Sequence, residues 1–307
     1  MARQFHFISG LPRSGSTLLG AVLRQNPRFS AGMTSPIGSL LGALQTHFSA
    51  GSEFGPVVEV DLRRRFLRGL FESYYGDRAA DGVVFDSNRA WCARLPSVKD
   101  LYPGAKVIAC VRNVAWVMDS IERLYRANPF ENTKLFNDDV ERNTVYSRVE
   151  TLAQGGRLVG FAYNALKEAF YGEHADSLLL VEYELLTQAP DKVMRLIYEF
   201  LDEPWFAHDF ANVSYDAPEF DQALGLAGLH RVRPVIAPEA RRTVLPPDLF
   251  DQYSQLSFWH DSRGSSAHVI RAHGAPSREP PAAVAPLPFI QTALASAAPP
   301  ERAHASN

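Results

Sequence analysis

Two kinds of apolar pattern alternate along this chain. Short continuous apolar runs occur at Phe5–Ser9, Val83–Asp86, Lys106–Val111 and Leu178–Val181. Runs this short and this uniformly apolar are those of strands buried on both faces. Between them, apolar residues return every three or four positions, as on one side of a helix. Ser16–Gln25 carries Leu18, Leu19, Val22 and Leu23 on such a stripe, closed by Pro27. Val60–Tyr75 carries Leu62, Phe66, Leu70 and Tyr74, with Arg63, Arg64, Arg65 and Arg68 mostly off the stripe as a solvated face. Val114, Val117, Met118, Ile121 and Leu124 follow the third run, and Val193, Leu196, Ile197 and Phe200 follow Pro190, which suits a first helical turn.

Strand–helix alternation of this kind predicts an α/β fold: a P-loop-like parallel β-sheet flanked by helices on both faces. Ligands of such sheets sit beyond the carboxyl ends of the strands. Residues 127–175 are mostly helical in pattern and form a helical insertion. Asn143–Tyr171 is expected as one long helix, with Gly155-Gly156 as its candidate break. From residue 265 onward the chain turns rich in Ala and Pro and holds no stripe, so 1–264 is expected as a single domain and 265–307 as a disordered C-terminal tail. Truncation after Gly264 is therefore expected to cost little stability. Within the tail, Pro286–Leu294 is apolar enough to dock.

Composition narrows the class. Hydrophobic residues make up 46%, charged residues 21%, and the formal net charge is −3, an ordinary globular balance with no basic excess to favour nucleic acid. Two cysteines, Cys92 and Cys110, make no disulfide framework, and Cys110 falls inside an apolar run. Neither a signal peptide nor an apolar stretch of about 20 residues is present, so a cytoplasmic protein with no membrane partner is expected.

The chemistry concentrates after the first strand. Gly10-Leu11-Pro12-Arg13-Ser14-Gly15-Ser16-Thr17-Leu18 has the frame G-x-x-x-x-G-S-T. A nucleoside-triphosphate loop has Lys before its Ser/Thr, and that lysine reaches the β- and γ-phosphates. Ser16 stands there instead, and the cation is Arg13 within the loop. The glycines turn backbone N–H groups toward an anion at a helix N-terminus, where the dipole also favours negative charge. The cradle is kept and the triphosphate reader is missing, which points to a nucleotide other than Mg-ATP.

A second anion site is expected at the third strand. Arg112 ends that strand and Ser120 lies eight residues on, two turns into the next helix. The arginine fork matches phosphate oxygens. One nucleotide with phosphates at both ends satisfies both sites.

These residues carry a resemblance. Leu11 through Leu19 resembles the 5′-phosphosulfate loop of sulfotransferases, and Val111-Arg112 through Ser120 resembles their 3′-phosphate motif. The Pro-Arg-Ser-Gly form is most similar to tyrosylprotein sulfotransferases and their bacterial relatives. Leu180–Leu186 resembles the family's strand-plus-Tyr-Glu segment, with Tyr183 near the nucleotide. The resemblance implies 3′-phosphoadenosine-5′-phosphosulfate (PAPS) as co-substrate, 3′,5′-adenosine bisphosphate as product and no metal. It implies in-line transfer of the sulfuryl group to an acceptor hydroxyl, of a peptidyl tyrosine or a small phenol or alcohol. Pro12, Arg13, Ser14, Gly15, Ser16, Thr17, Leu18, Arg112, Ser120 and Tyr183 are then the donor-binding set, with Arg13 stabilising the leaving oxygen. Arg89 stands where the family places a second cation. His230-Arg231-Val232-Arg233 matches more weakly, and Arg231 and Arg233 are expected to close over the 3′-phosphate. A homodimer is one candidate assembly.

The base departs from the family pattern. Tyrosylprotein sulfotransferases carry a glutamate shortly after the first helix, whereas Ser30–Pro36 has no acid. Asp86, at a strand end, is the first candidate because strand ends line the site, with His47 and Glu53 as alternatives. Two competing readings stay open: a P-loop small-molecule kinase, against which the missing lysine counts, and a non-catalytic nucleotide-binding module.

Overall fold

The protein is seen in a computed structural model that describes residues 3–49, 51–76, 82–128, 130 and 133–271. Six strands form one sheet: β1 (Gln4–Gly10), β2 (Phe29–Thr34), β3 (Val83–Ser87), β4 (Val107–Val111), β5 (Leu178–Glu182) and β6 (His268–Val269). They run parallel in the order β2-β3-β1-β4-β5-β6. The connecting helices are α1 (Ser16–Leu23), α2 (Ile37–Phe48), α3 (Val60–Tyr75), α4 (Leu95–Leu101), α5 (Val114–Ala127) and α6 (Asp139–Arg142). The remainder are α7 (Val145–Ala153), α8 (Leu158–Tyr171), α9 (Tyr183–Gln188), α10 (Pro190–Leu201), α11 (Pro218–Ala223) and α12 (Pro247–Ser254).

The period-two geometry of the strands feeds two cores. Along β4, Val107, Ala109 and Val111 enter the core shared with α3, α5 and α8, while Ile108 and Cys110 enter the one shared with α1 and α10. Both faces are therefore covered, as the continuous apolar runs require. Burial pushes the thiols of Cys92 and Cys110 up to about 11 and about 12, which leaves both as inert packing residues. The chain leaves β1 toward β2 on one side and later returns to β4 on the other. β1 is thus the switch point of the sheet, where a crevice opens at the carboxyl ends.

Four strands fall where the apolar runs place them. Two differ from expectation. β2 reads FSAGMT, with Phe29 buried and the next four residues half-buried, and its register to β3 shifts between Ala31 and Thr34. β6 lies in the segment expected as tail. His268 and Val269 pair with Leu179 and Leu180, Ile270 N–H donates to the Leu180 carbonyl at 3.1 Å, and Ile270 is buried. Pro286–Leu294 lies outside the described residues.

The buried stripe of α3 is shifted by one residue. Leu67, Phe71 and Tyr75 face the core, while Phe66 is half exposed and Tyr74 is exposed. Phe71 wins because it packs edge-on against Phe5 and Phe7 and tilted on Trp91. Deleting a ring so enclosed costs about 3–5 kcal/mol. The arginines of α3 do more than face solvent: Arg63 donates to the Val58 and Gly55 carbonyls, Arg64 grips Asp100 and Arg68 caps the Leu101 carbonyl. Leu196 of α10 is likewise exposed, with Met194 and Tyr198 buried in its stead. The expected long helix divides into α7 and α8 at Gln154–Arg157, around the Gly155-Gly156 pair.

Candidate active site

The loop after β1 is shaped by backbone conformation. Gly10 and Gly15 have φ of 106° and 97°, and a Cβ on Gly10 would sit 2.1 Å from the Cys110 carbonyl oxygen, so only glycine fits there. Arg13 has φ of 58°, a left-handed conformation uncommon for a side-chain-bearing residue. Ser14 is fully buried, with its hydroxyl 2.5 Å from the Leu11 carbonyl and 2.7 Å from that of Cys110. Its side chain thus pins the loop to β4 and faces away from the cleft. Gly15 caps α1, and the first helical bond runs from Leu19 N–H to the Gly15 carbonyl at 2.8 Å. The N–H groups of Ser16, Thr17 and Leu18 precede it and are the helix's unsatisfied donors.

A cleft of about 400 Å3 opens over this loop. Pro12, Arg13, Gly15, Ser16, Thr17 and Leu18 line it, as do Arg89, Arg112, Ser120, Tyr183, Arg231 and Arg233. Motifs far apart in sequence meet here. Arg13 Nε donates to Ser120 Oγ at 3.1 Å, and Arg13 Nη1 donates to the Leu229 carbonyl. The Arg112 guanidinium lies 4.3 Å over the Tyr183 ring and its Nε donates to Glu184 at 3.0 Å. Tyr183 in turn packs against the loop, where a Cβ on Gly15 would come within 2.9 Å of its ring.

The cleft is strongly cationic in a chain of net charge −3. Among the described residues lining it, Lys134 and Arg241 join the five arginines already named, and Glu239 is the one carboxylate, held by Arg233 at 3.1 Å. Burial lowers the Arg13 guanidinium from its ordinary value, Arg112 and Arg241 add to the fall, and Tyr183 and Asp221 oppose it. Arginine stays charged through shifts of this kind. Arg241 is also lowered, first by burial and then by Arg112. Its Nε is buried with no hydrogen-bond partner among the described residues. Buried cations that crowd one another and lack full partners are stabilised by an incoming anion. The cradle, the crowded cations and the orphaned Arg241 Nε together fit a ligand with two anionic ends.

Asp86 is not brought to the cleft. It is fully buried, and Ser35, Tyr75 and Trp91 all donate to its carboxylate at 2.7–2.9 Å. Burial pushes its carboxyl up, with the three hydrogen bonds opposing. That geometry ties β3 to α3 and to the segments just after β2 and β3, and Asp86 does not line the cleft. His47 and Glu53 are exposed and do not line the cleft either. Sequence reading missed Arg241, whose signal was an isolated Arg-Arg pair, and the buried Asp221 beside His230, whose signal was weaker still.

A profile of the Sulfotransferase family matches residues 6–207. Protein-tyrosine sulfotransferase 1 of Danio rerio is 27% identical over 208 residues, covering 65% of this chain and 53% of that protein. Protein-tyrosine sulfotransferase A of Caenorhabditis elegans is 26% identical over 211 residues, covering 66% and 50%. This chain thus spans about half the length of these relatives. Among solved structures, the sulfotransferase domain from the Synechococcus PCC 7002 olefin synthase superposes with a TM-score of 0.46 at 18% identity, covering 82% of this chain and 93% of that one. With its glycine loop and the Arg112–Ser120 segment inside the matched span, the chain belongs to the Sulfotransferase family.

Proposed function

We propose that this protein transfers the sulfuryl group of PAPS to an acceptor hydroxyl, of a peptidyl tyrosine or a small phenol or alcohol. The observation that carries the reading is the meeting of the two anion motifs at Arg13 Nε and Ser120 Oγ, 3.1 Å apart in one cationic cleft. PAPS supplies an activated sulfuryl group between a 5′-phosphate and the acceptor, with a second phosphate on the 3′ oxygen.

Each residue then has a task. The N–H groups of Ser16, Thr17 and Leu18 and the Ser16 and Thr17 hydroxyls hold the 5′ end at the α1 N-terminus. Arg13 stabilises the negative charge that grows on the leaving oxygen, with Arg89 as a second cation. Arg112, Ser120 and Arg241 hold the 3′-phosphate, and Arg231 and Arg233 close over it. Pro12 sets the loop and Tyr183 walls the nucleotide. Ser14 serves by fixing the loop and offering its backbone. Asp86 has no part in this mechanism.

Incubating the protein with radiolabelled PAPS and a panel of tyrosine peptides and small phenols tests the reading. Label moving to an acceptor supports it. A chain that binds neither PAPS nor its bisphosphate product would refute it.

A further inference from the structure

Among the described residues the cleft holds no carboxylate placed to take the acceptor proton: Asp86 is locked in the core and Glu239 is bound to Arg233. It does hold a histidine–carboxylate pair. His230 lines the cleft, and its Nδ1 lies 2.5 Å from Asp221 Oδ1. The Asp221 side chain is fully buried and that of His230 is 13% exposed.

The pair is built in three ways. His230 backbone N–H donates to the other Asp221 oxygen at 2.9 Å, so one carboxylate fixes both the ring and its backbone. Asp221 lies within the short helix α11, and the loop after it folds back through Leu226 N–H to the Asp221 carbonyl at 3.0 Å. Phe220 packs edge-on to the imidazole at 5.3 Å. A carboxylate on Nδ1 selects the Nδ1–H tautomer and leaves a lone pair on Nε2. Nε2 has no hydrogen-bond partner among the described residues. The residue before His230 is Leu229, whose carbonyl accepts from Arg13. The imidazole is therefore anchored one residue from the cation assigned to the leaving oxygen.

We propose that His230 is the general base of this site and that Asp221 is its positioning residue. The proposal rests on the sulfuryl-transfer reading. In the step, the acceptor O–H proton passes to His230 Nε2 as the acceptor oxygen forms its bond to sulfur. The bond between sulfur and the 5′-phosphate oxygen breaks, and its electron pair leaves on 3′,5′-adenosine bisphosphate. Asp221 stabilises the resulting imidazolium, which returns its proton to solvent. A purely structural histidine–aspartate latch would need neither the open Nε2 nor a place on the cleft wall. Charged groups near the pair include Arg13, Arg231 and, two residues before Asp221 in α11, Glu219, with Lys134 on the same cleft.

The test has two arms on the full chain. In histidine-labelled protein, the nitrogen spectrum should show neutral His230 as the Nδ1–H tautomer, with a strongly deshielded proton that disappears in both Asp221→Asn and His230→Gln. An Nε2–H tautomer overturns the proposal. In the second arm, transfer from PAPS to tyramine is followed against pH. His230→Gln should lose about 10²–10⁴-fold in kcat near neutral pH. The deficit should shrink as the phenol ionises in alkaline solution, and it should be small with 4-nitrophenol, which ionises without help. Binding of 3′,5′-adenosine bisphosphate should be unchanged. A His230→Gln enzyme with the wild-type pH profile overturns the assignment, as does a deficit equal at every pH. Wild-type protein that fails to bind the bisphosphate strikes instead at the sulfuryl-transfer reading.

Discussion

Arg13 and Ser120, 107 residues apart in sequence, meet through a 3.1 Å hydrogen bond between guanidinium Nε and hydroxyl Oγ. One residue belongs to the glycine loop after β1 and the other to α5 after β4, so the contact closes the cleft across the switch point of the sheet. Both are cast as ligands of the same nucleotide, and an entering anion exchanges their mutual bond for bonds to itself.

Arg13→Ala should lower kcat by about 10²–10³, the usual loss when one donor to a developing oxyanion is removed. Arg13→Lys should recover only part of it, since the ammonium keeps the charge and loses the fork. Thermal melting should change little, because the loop is held by Gly10 and the buried Ser14. Steady-state kinetics beside a melting curve makes the check.

Arg112→Ala should weaken binding of 3′,5′-adenosine bisphosphate by roughly 1.5–3 kcal/mol, the worth of a charge-assisted hydrogen bond. In dissociation constant that is about a 10- to 150-fold rise by calorimetry. Its ion pair with the partly exposed Glu184 adds little to folding stability. An unchanged constant would remove Arg112 from the donor site.

Truncation after Gly264 should destabilise the protein by about 2–4 kcal/mol, contrary to what composition suggests. It removes β6, the buried Ile270 and the Ser265 hydroxyl that donates to the Phe170 carbonyl. Urea denaturation of the shortened chain measures this directly.

Stability should fall on mild acidification because of His6. Burial, with Lys106 and Lys99, pushes this imidazole down from 6.5 to about 4. Between those values the unfolded chain takes up a proton that the folded chain refuses, so stability is full above the window and lost as pH falls through it. The effect amounts to at most roughly 3–3.5 kcal/mol. A His6→Gln variant should lack this component when urea midpoints are compared across the same range.

The sheet was legible where continuous apolar runs mark a strand covered on both faces, as at Val107–Val111. β2 and β6 were not: FSAGMT is mixed in polarity, and a two-residue edge strand carries no period. The α3 stripe slipped by one position because two neighbouring spacings of four are both apolar there, and only contact with Phe5, Phe7 and Trp91 decides between them. That the glycine loop, Arg112, Ser120 and Tyr183 gather at one cleft was readable because each motif is encoded in a short stretch of sequence at a strand end. Asp86 was misread as site-facing because its three donors come from Ser35, Tyr75 and Trp91, which no local pattern joins to it. His230 and Asp221 were unreadable as a pair for the same reason: a loop must fold back before they touch.

The central claim is that one nucleotide with a phosphate at each end fills this cleft. Calorimetric titration with 3′,5′-adenosine bisphosphate, set against 5′-ADP and Mg-ATP, tests it most directly. Tight binding of the bisphosphate, with 5′-ADP weakened by loss of the 3′-phosphate and no gain from Mg-ATP, is the predicted result. Preference for Mg-ATP with no response to the bisphosphate would contradict the account.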